Sequence, residues 1–430
     1  MDLNIAEPRI RPALAFAFTS AFCLLPSALL FPMLSLITLA AVFALIATRR
    51  IGSLHLPIWV IMTGGALVVL LGGSIGPKEA WKAIDWRVIL FLACMFVIGR
   101  ALEESGYLEH LAYLLFRHAA STDALVLLVL FTMGLLSALL MNDTLAIVGV
   151  PVVLLLAGRH RMSPKLLLLA LAFSITIGSV MSPIGNPQNL LIAFHLENPF
   201  VTFLQHLFLP SMLCLLLAYG MLRLFYWSEF HRVRILHLPA EIRDRRLAIL
   251  ARLSLFLLAG LIGLKVVLAF EGTDFNIVYI AVVAVVPVLF GKRGIITEID
   301  WRTLVFFVAM FVLMESVWLE AGESLIPYVT TDTGAILLLS TAASQLVSNV
   351  PFVALGIPPL LAAGGGAREL VALAAGSTVA GLLFILGAAS NVIIIQQAEA
   401  RGETLTFAEF ARVGIPLTAA CLVVFWIFLR

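Results

Sequence analysis

The chain has 430 residues, 62% of them hydrophobic and 12% charged, with a formal net charge of +2 at pH 7 and a mean hydropathy of +1.09. A soluble globule carries nearer ~25% charged residues, so the composition excludes one and points to a polytopic membrane protein, with the lipid bilayer as its partner and no nucleic acid. Cys23, Cys94, Cys214 and Cys421 all lie in apolar runs without a Cys-x-x-Cys pair, which suggests neither a disulfide framework nor a zinc site.

Residues 12–47 form an apolar run interrupted by Pro26 and Pro32. It is too long for one ~30 Å crossing at ~1.5 Å per residue, and reads as two spans near 12–27 and 29–47. Spans three and four fall near 56–74 and 86–104. Tyr107 to His118 then reads as a helix lying along the interface, with Leu108, Leu111, Leu114 and Leu115 on one face.

Next comes Ser137 to Pro151, which is polar at Asn142, Asp143 and Thr144 in the middle of an apolar stretch. A carboxylate at that depth costs several kcal/mol unless it is paired, solvated or bound to a cation, and so marks a functional site. Each flanking arm is shorter than the ~20 residues of a full crossing, so residues 123–158 are expected to form a re-entrant hairpin.

The span near 165–195 is interrupted by Ser182-Pro-Ile-Gly-Asn-Pro-Gln-Asn189, whose two prolines and glycine do not fit one continuous helix. A span near 207–226 leads to the hydrophilic loop Trp227 to Arg246, with five arginines. The second half repeats the plan: spans near 248–270, 276–291 and 302–319, a hairpin at 333–363, a broken span at 369–397 and a last span at 411–429.

An internal repeat supports this organisation. Ile84-Asp-Trp-Arg87 recurs as Ile299-Asp-Trp-Arg302, an offset of 215; Ser137 and Asn142 match Ser344 and Asn349 at 207, and Gly185 and Asn189 match Gly387 and Asn391 at 202. A repeat with an odd number of crossings inserts inverted relative to its partner. The expected fold is therefore all-α, with about eleven transmembrane helices in two inverted repeats, each holding a re-entrant hairpin and a broken helix. Residues 1–230 carry the first span and first repeat, 231–247 a cytoplasmic loop, and 248–430 the second repeat.

With the N-terminus inside, the predicted cytoplasmic segments hold sixteen of the 27 Lys and Arg residues and the outer segments four, Lys78, Lys82, Arg368 and Arg430. That bias follows the positive-inside rule. It predicts a multi-pass protein of the cell (inner) membrane, N-terminus cytoplasmic and C-terminus periplasmic or extracellular.

Two hairpin tips and two broken helices in repeat-equivalent positions point to a transporter binding site at the midplane. Each interruption leaves unpaired N–H groups at one half-helix start and unpaired C=O groups at the other half's end. Pro187 and Pro351 suit the first turn of a restarting helix. Asn142, Asn186, Asn189, Asn349, Ser390 and Asn391 then offer amide and hydroxyl groups able to ligate either charge sign.

These motifs resemble the ion transporter superfamily that joins divalent-anion/sodium symporters, arsenite permeases and NhaD-type sodium/proton antiporters. Asn142-Asp143 is similar to the permease and antiporter tips. Ser348-Asn-Val-Pro351 resembles the Ser-Asn-Thr hairpin of the dicarboxylate branch, with Val350 for threonine; Pro183-Ile-Gly-Asn-Pro-Gln-Asn189 resembles its Pro-Ile-Gly-Thr-Pro-Pro-Asn, with Asn186 and Gln188 as the departures.

The resemblance implies no cofactor beyond coupling sodium ions or protons, a homodimer, and two sodium sites. One would use Ser137, Met141 (backbone), Asn142 and Gly185, the other Ser344, Val347 (backbone), Asn349 and Gly387. It places the substrate between the tips, against Asn142, Asp143, Thr144, Asn349 and Val350. Asp143 would repel a dianion and Val350 lacks a hydroxyl, which leaves a smaller inorganic or monovalent anion, an oxyanion-type solute or a cation as open choices; a small anion or oxyanion-type solute moved with sodium or protons is expected, and a sodium/proton antiporter loading at Asp143 is the alternative. No Gly-x-Ser-x-Gly or His-Glu-x-x-His motif supports an intramembrane enzyme. Arg100, Glu315, Lys265 and Arg252 read as interfacial, and His195 and His206 as wet surface groups.

Overall fold

The computed structural model describes residues 33–107 except 49, 52–53 and 56, then 110–111, 114, 119, 121–160, 162–231, 242–271, 275–325 and 329–430. The expected first span at 12–27 and most of the interfacial helix at 107–118 lie outside the described residues. Among the described residues the protein is all-helical apart from a two-residue antiparallel pairing of Arg50–Ile51 with Leu54–His55.

The first repeat runs α1 Leu34–Thr48, α2 Ile58–Leu71, α3 Pro77–Ala83, α4 Trp86–Ser105, α5 Thr122–Leu139, α6 Asn142–His160, α7 Pro164–Val180, α8 Pro187–Ala193 and α9 Pro199–Phe225. The second runs α10 Arg245–Phe270, α11 Val278–Gly291, a 3-10 turn Arg293–Glu298, α12 Trp301–Leu325, α13 Thr333–Val347, α14 Asn349–Ala362, α15 Ala367–Leu383, α16 Ala389–Glu399 and α17 Phe407–Leu429. Helices α5, α9, α10, α12 and α17 each contain a segment long and apolar enough to cross a membrane. The hairpins are α5–α6 and α13–α14, and the broken helices α7–α8 and α15–α16.

Local chemistry sets these ends. Asp85 caps α4, Ser121 caps α5, Asp244 caps α10 and Asp332 caps α13, each by accepting an N–H of the first turn. Pro164, Pro187 and Pro199 stand in the first turn of α7, α8 and α9, where a missing N–H is no loss. The last explains why α9 begins eight residues before the expected 207: Asn198-Pro199 starts a helix that carries Thr202, Gln205 and His206 within it.

The halves interlock by exchanging partners. Helix α4 packs on α11, and its counterpart α12 packs on α2, the counterpart of α11. In the same way α6 packs on α16 and α14 on α8, while α7 and α15 cross at the centre. Leu166 to Val180 of α7 and Leu370 to Leu382 of α15 are buried without interruption, so side chains on every face of both helices are packed against protein rather than lipid. Gly178 makes the α5–α7 crossing close: a Cβ there would lie 2.1 Å from the Gly134 carbonyl oxygen. Small residues at such crossings let backbones approach.

Candidate functional site

At the first tip, α5 stops at Leu139 and α6 restarts at Asn142, whose backbone N–H donates to the Gly185 carbonyl at 2.9 Å. The hairpin thereby docks on the first break. Gly185 has to be small, because a Cβ would come within 2.5 Å of the Ser179 carbonyl oxygen. Thr144 presses on α4, where a Cβ on Gly99 would meet its Oγ1 at 2.8 Å. Asp143 is half-buried, and its carboxylate makes no ion pair among the described residues. Ser137 donates to the Ile175 carbonyl at 2.7 Å and the Met141 carbonyl accepts the Leu145 N–H at 3.3 Å.

The first break, Met181 to Asn186, is held by two asparagines. Asn186 caps α8 by accepting the Asn189 N–H at 2.8 Å, and its amide donates to Ser179 Oγ at 3.1 Å and Thr378 Oγ1 at 3.3 Å. Asn189 spans the gap, donating to the carbonyls of Ser179, Val180 and Ser182 at 2.9, 3.3 and 3.0 Å. The first two belong to the last turn of α7, whose carbonyls have no intrahelical partners, and the third to the break itself. Thr378 of α15 donates to Asn189 Oδ1 and accepts from Gln188, both at 3.3 Å, so the second repeat completes the first repeat's break.

The second break uses the same device, with Asn391 donating to the Gly381 carbonyl at 2.6 Å. Its surroundings differ. Gln345 of α13 donates to the Ala380 carbonyl at 2.8 Å, and a Cβ on Gly387 would come within 2.5 Å of that oxygen. Ser344, Asn349, Ser390 and Asn391 each keep a buried side-chain oxygen with no hydrogen-bond partner, as does Asn142 at the first tip. Val350 is half-buried beside Asn349. The Val347 side chain lies outside the described residues, and its backbone precedes Ser348, the one non-glycine residue with positive φ (72°) among those described.

The structure thus brings Asn142 to Gly185 and Asn186 to Asn189, and places the second tip and second break on packed helices. A Cβ on Gly381 would lie 3.3 Å from Thr176 and 2.8 Å from Ala388, which sets the halves in contact at this level. Ser137 and Ser344 are not equivalent in their bonding, because Ser137 is satisfied by Ile175 and Ser344 Oγ is not. Thr378, Ser179, Gln188 and Gln345 are participants that sequence reading left out. Their only signal is polarity within apolar helices, which hydroxyl groups bonded to the preceding turn share.

The outlying charges resolve differently. Arg100 pairs with Glu103 at 3.0 Å and Glu298 at 3.1 Å, and Lys292 pairs with Glu104 at 2.5 Å and Glu298 at 3.4 Å. These hydrogen bonds hold the Glu298 carboxyl below the usual glutamate range. Lys265 is buried against protein, and its ammonium donates to the Phe275 carbonyl at 2.5 Å and lies over that ring.

Comparison with known proteins agrees with the helical transporter fold. Residues 41–370 match the family described as citrate transporter. A 46 kDa membrane protein of Mycobacterium leprae is 28% identical over 422 residues, covering 90% of this chain and 95% of its own. A silicon efflux transporter of Oryza sativa subsp. japonica is 29% identical, covering 82% and 88%. The crystal structure of the YdaH transporter of Alcanivorax borkumensis aligns with a TM-score of 0.55 at 17% identity, over 93% of this chain and 97% of that one. This last likeness concerns the fold.

Proposed function

From the finding that this chain belongs to the citrate transporter family, a family of membrane transporters, we propose that it is a secondary active transporter of a small anion or oxyanion-type solute, working by alternating access with sodium or protons. The observation that carries this reading is the set of unpartnered buried oxygens at the two tips and second break: Asn142, Ser344, Asn349, Ser390 and Asn391. Leaving a buried acceptor unmade costs about 1–3 kcal/mol. Oxygens retained at that cost, with no cluster of His, Cys, Asp and Glu side chains placed to hold a metal ion among the described residues, suit a hard cation. The residues fit sodium in this respect, with Asn349, Ser344 and the Gly387 break on one side and Asn142 with the Gly185 break on the other. The solute would lie between the tips against Asn142, Asp143, Thr144, Asn349 and Val350, within reach of the half-helix ends carrying Asn186, Asn189, Ser390 and Asn391.

The test is solute movement in proteoliposomes over a panel of anions under imposed sodium or pH gradients. Asn142→Ala and Asn349→Ala should each remove sodium dependence; sodium-independent transport by the unaltered protein would leave protons as the coupling ion. A second reading, sodium/proton antiport, is favoured by the unpaired Asp143 carboxylate at the first tip, and is distinguished by proton release on sodium addition without any anion. The charge distribution supports a cytoplasmic N-terminus in the inner membrane; reporters after Arg430 and near Arg243 should read outside and inside respectively.

A further inference from the structure

Two cavities are each lined by the second arm of a hairpin, and the repeat relates them. The first, of about 190 Å³, is lined by Ala354, Leu355 and Pro358 of α14. The second, of about 100 Å³, is lined by Ile147, Val148 and Pro151 of α6, each 207 positions earlier. Trp318 and His195 of the first cavity likewise correspond, at the repeat offsets of 215 and 202, to Glu103 and Gln397 of the second. Asp85, just before α4, borders the first, and Glu103, near the end of α4, borders the second. Eighteen residues of helix separate them by ~27 Å at ~1.5 Å per residue. The cavities therefore open at opposite membrane faces, as the two mouths of one pathway would.

Their charges are opposite. Among described residues the first mouth is lined by Asp85, Glu315 and His195, with no Lys or Arg. Arg87 offsets Asp85 at 2.6 Å, but Glu315 makes no ion pair among described residues. The second mouth is lined by Arg243 and Arg401 and by Glu103, which Arg100 engages at 3.0 Å. The Arg401 guanidinium donates to the carbonyl and side-chain oxygens of Gln397, neutral partners that leave its charge in place. The sequence inverts sign as well, since Glu315 occupies the repeat position of Arg100. Arg87 and Lys265 do line an adjacent cavity of about 240 Å³, but it includes no hairpin residue and so does not reach the tips.

We propose that the two mouths sort ions by side: the outer mouth, through Glu315, gathers the coupling cation, and the cytoplasmic mouth, through Arg401, gathers the anionic solute. This rests on the transporter reading above and adds sidedness to it, the solute being held more tightly from the cytoplasm. A cleft lined by one sign of charge between low-dielectric walls raises the local concentration of counter-ions. The effect fades with salt, as the Debye length drops from about 8 Å at 0.15 M to about 3 Å at 1 M.

The experiment needs no identified solute. Ala354→Cys and Ile147→Cys are made singly in protein whose native cysteines are replaced by alanine, with Leu355→Cys and Val148→Cys as a second pair should either fail to fold. Each is labelled with trimethylammonium and sulfonate methanethiosulfonates. The cation-to-anion rate ratio is expected to be at least tenfold higher at Ala354→Cys than at Ile147→Cys in low salt, and to converge at 1 M. Glu315→Gln should lower the ratio several-fold at the outer position only, and Arg401→Gln should raise it at the inner position only. Equal or reversed ratios would overturn the proposal while leaving transport itself intact; correct ratios without any solute flux would instead count against the transporter reading.

Discussion

Asn189 and Asn391, 202 residues apart, make the same bond in the two halves: each amide donates to the carbonyl oxygen ten residues upstream, Ser179 at 2.9 Å and Gly381 at 2.6 Å. Each asparagine closes a gap that the missing helical turn opens. Asn189 serves three carbonyls and also accepts from Thr378, whereas Asn391 serves one. Replacement by leucine should therefore destabilise at both positions, and more at Asn189, where several buried groups lose partners worth about 1–3 kcal/mol each. Thermal unfolding in detergent is the measurement, with Asn189→Leu showing the lower midpoint.

Asp143 gives a functional prediction. Asparagine keeps the size and the hydrogen-bonding ability of the side chain and removes the charge. If the carboxylate carries the coupling ion, Asp143→Asn should insert and fold normally yet lose transport or its pH dependence. An unchanged pH–rate profile would reduce Asp143 to a helix-start residue, a role asparagine fills as well.

Gly178 tests the packing of hairpin on broken helix. A Cβ would sit 2.1 Å from the Gly134 carbonyl oxygen and 2.4 Å from its Cα, both backbone atoms that cannot turn aside. Gly178→Ala is expected to cost at or beyond the ~1–3 kcal/mol of ordinary overpacking. Gly260→Ala, with nothing within 4 Å, should be neutral or stabilising by up to about 1 kcal/mol. Comparing monodispersity and thermal midpoint of the two variants decides it.

Ser348 stores strain at the second tip, with φ 72° and ψ 147° and no capping bond from its side chain. Only glycine adopts that region readily, and other residues there cost about 1–3 kcal/mol. Ser348→Gly should raise the thermal midpoint, after subtraction of the ~0.4–1 kcal/mol that glycine's unfolded-state entropy takes back. Ser348→Ala, still bearing a Cβ, should leave it unchanged.

The Arg100–Glu298–Lys292 cluster predicts an acid response. Because the folded state holds the Glu298 carboxyl below its ordinary value, its contribution is in place above the unfolded glutamate range and disappears as pH falls through the depressed value. In Glu298→Gln the midpoint should decline less steeply on acidification than in the unaltered protein. Parallel curves would show that solvent screening leaves the cluster without measurable effect.

Much of the fold was legible because the membrane makes interruptions conspicuous. Asn142-Asp143, Ser348-Asn349 and the prolines at 183 and 187 stand out against apolar flanks, and Ile-Asp-Trp-Arg marks both copies. The helix ends at Asn186 and Asn189 followed from the same cues. Thr378 and Ser179 did not, since a hydroxyl in an apolar helix most often bonds its own preceding turn, as Ser174 does to Leu171 and Ser377 to Ala374. The bond of Lys265 to the Phe275 carbonyl was not legible either, since a backbone carbonyl carries no sequence signature. Nor could spacing alone reveal that Ser137 is bonded and Ser344 is not.

Thr378 bears on how the chain is made. Synthesis and insertion run from the N-terminus, so Asn186, Gln188 and Asn189 enter the membrane about 190 residues before the hydroxyl that joins their network. Until α15 arrives, the first break is an incomplete structure exposed to lipid or lipid-borne water. Severed between residues 231 and 245, the halves should accumulate stably only when produced together, the N-terminal fragment alone being the one the membrane proteases remove.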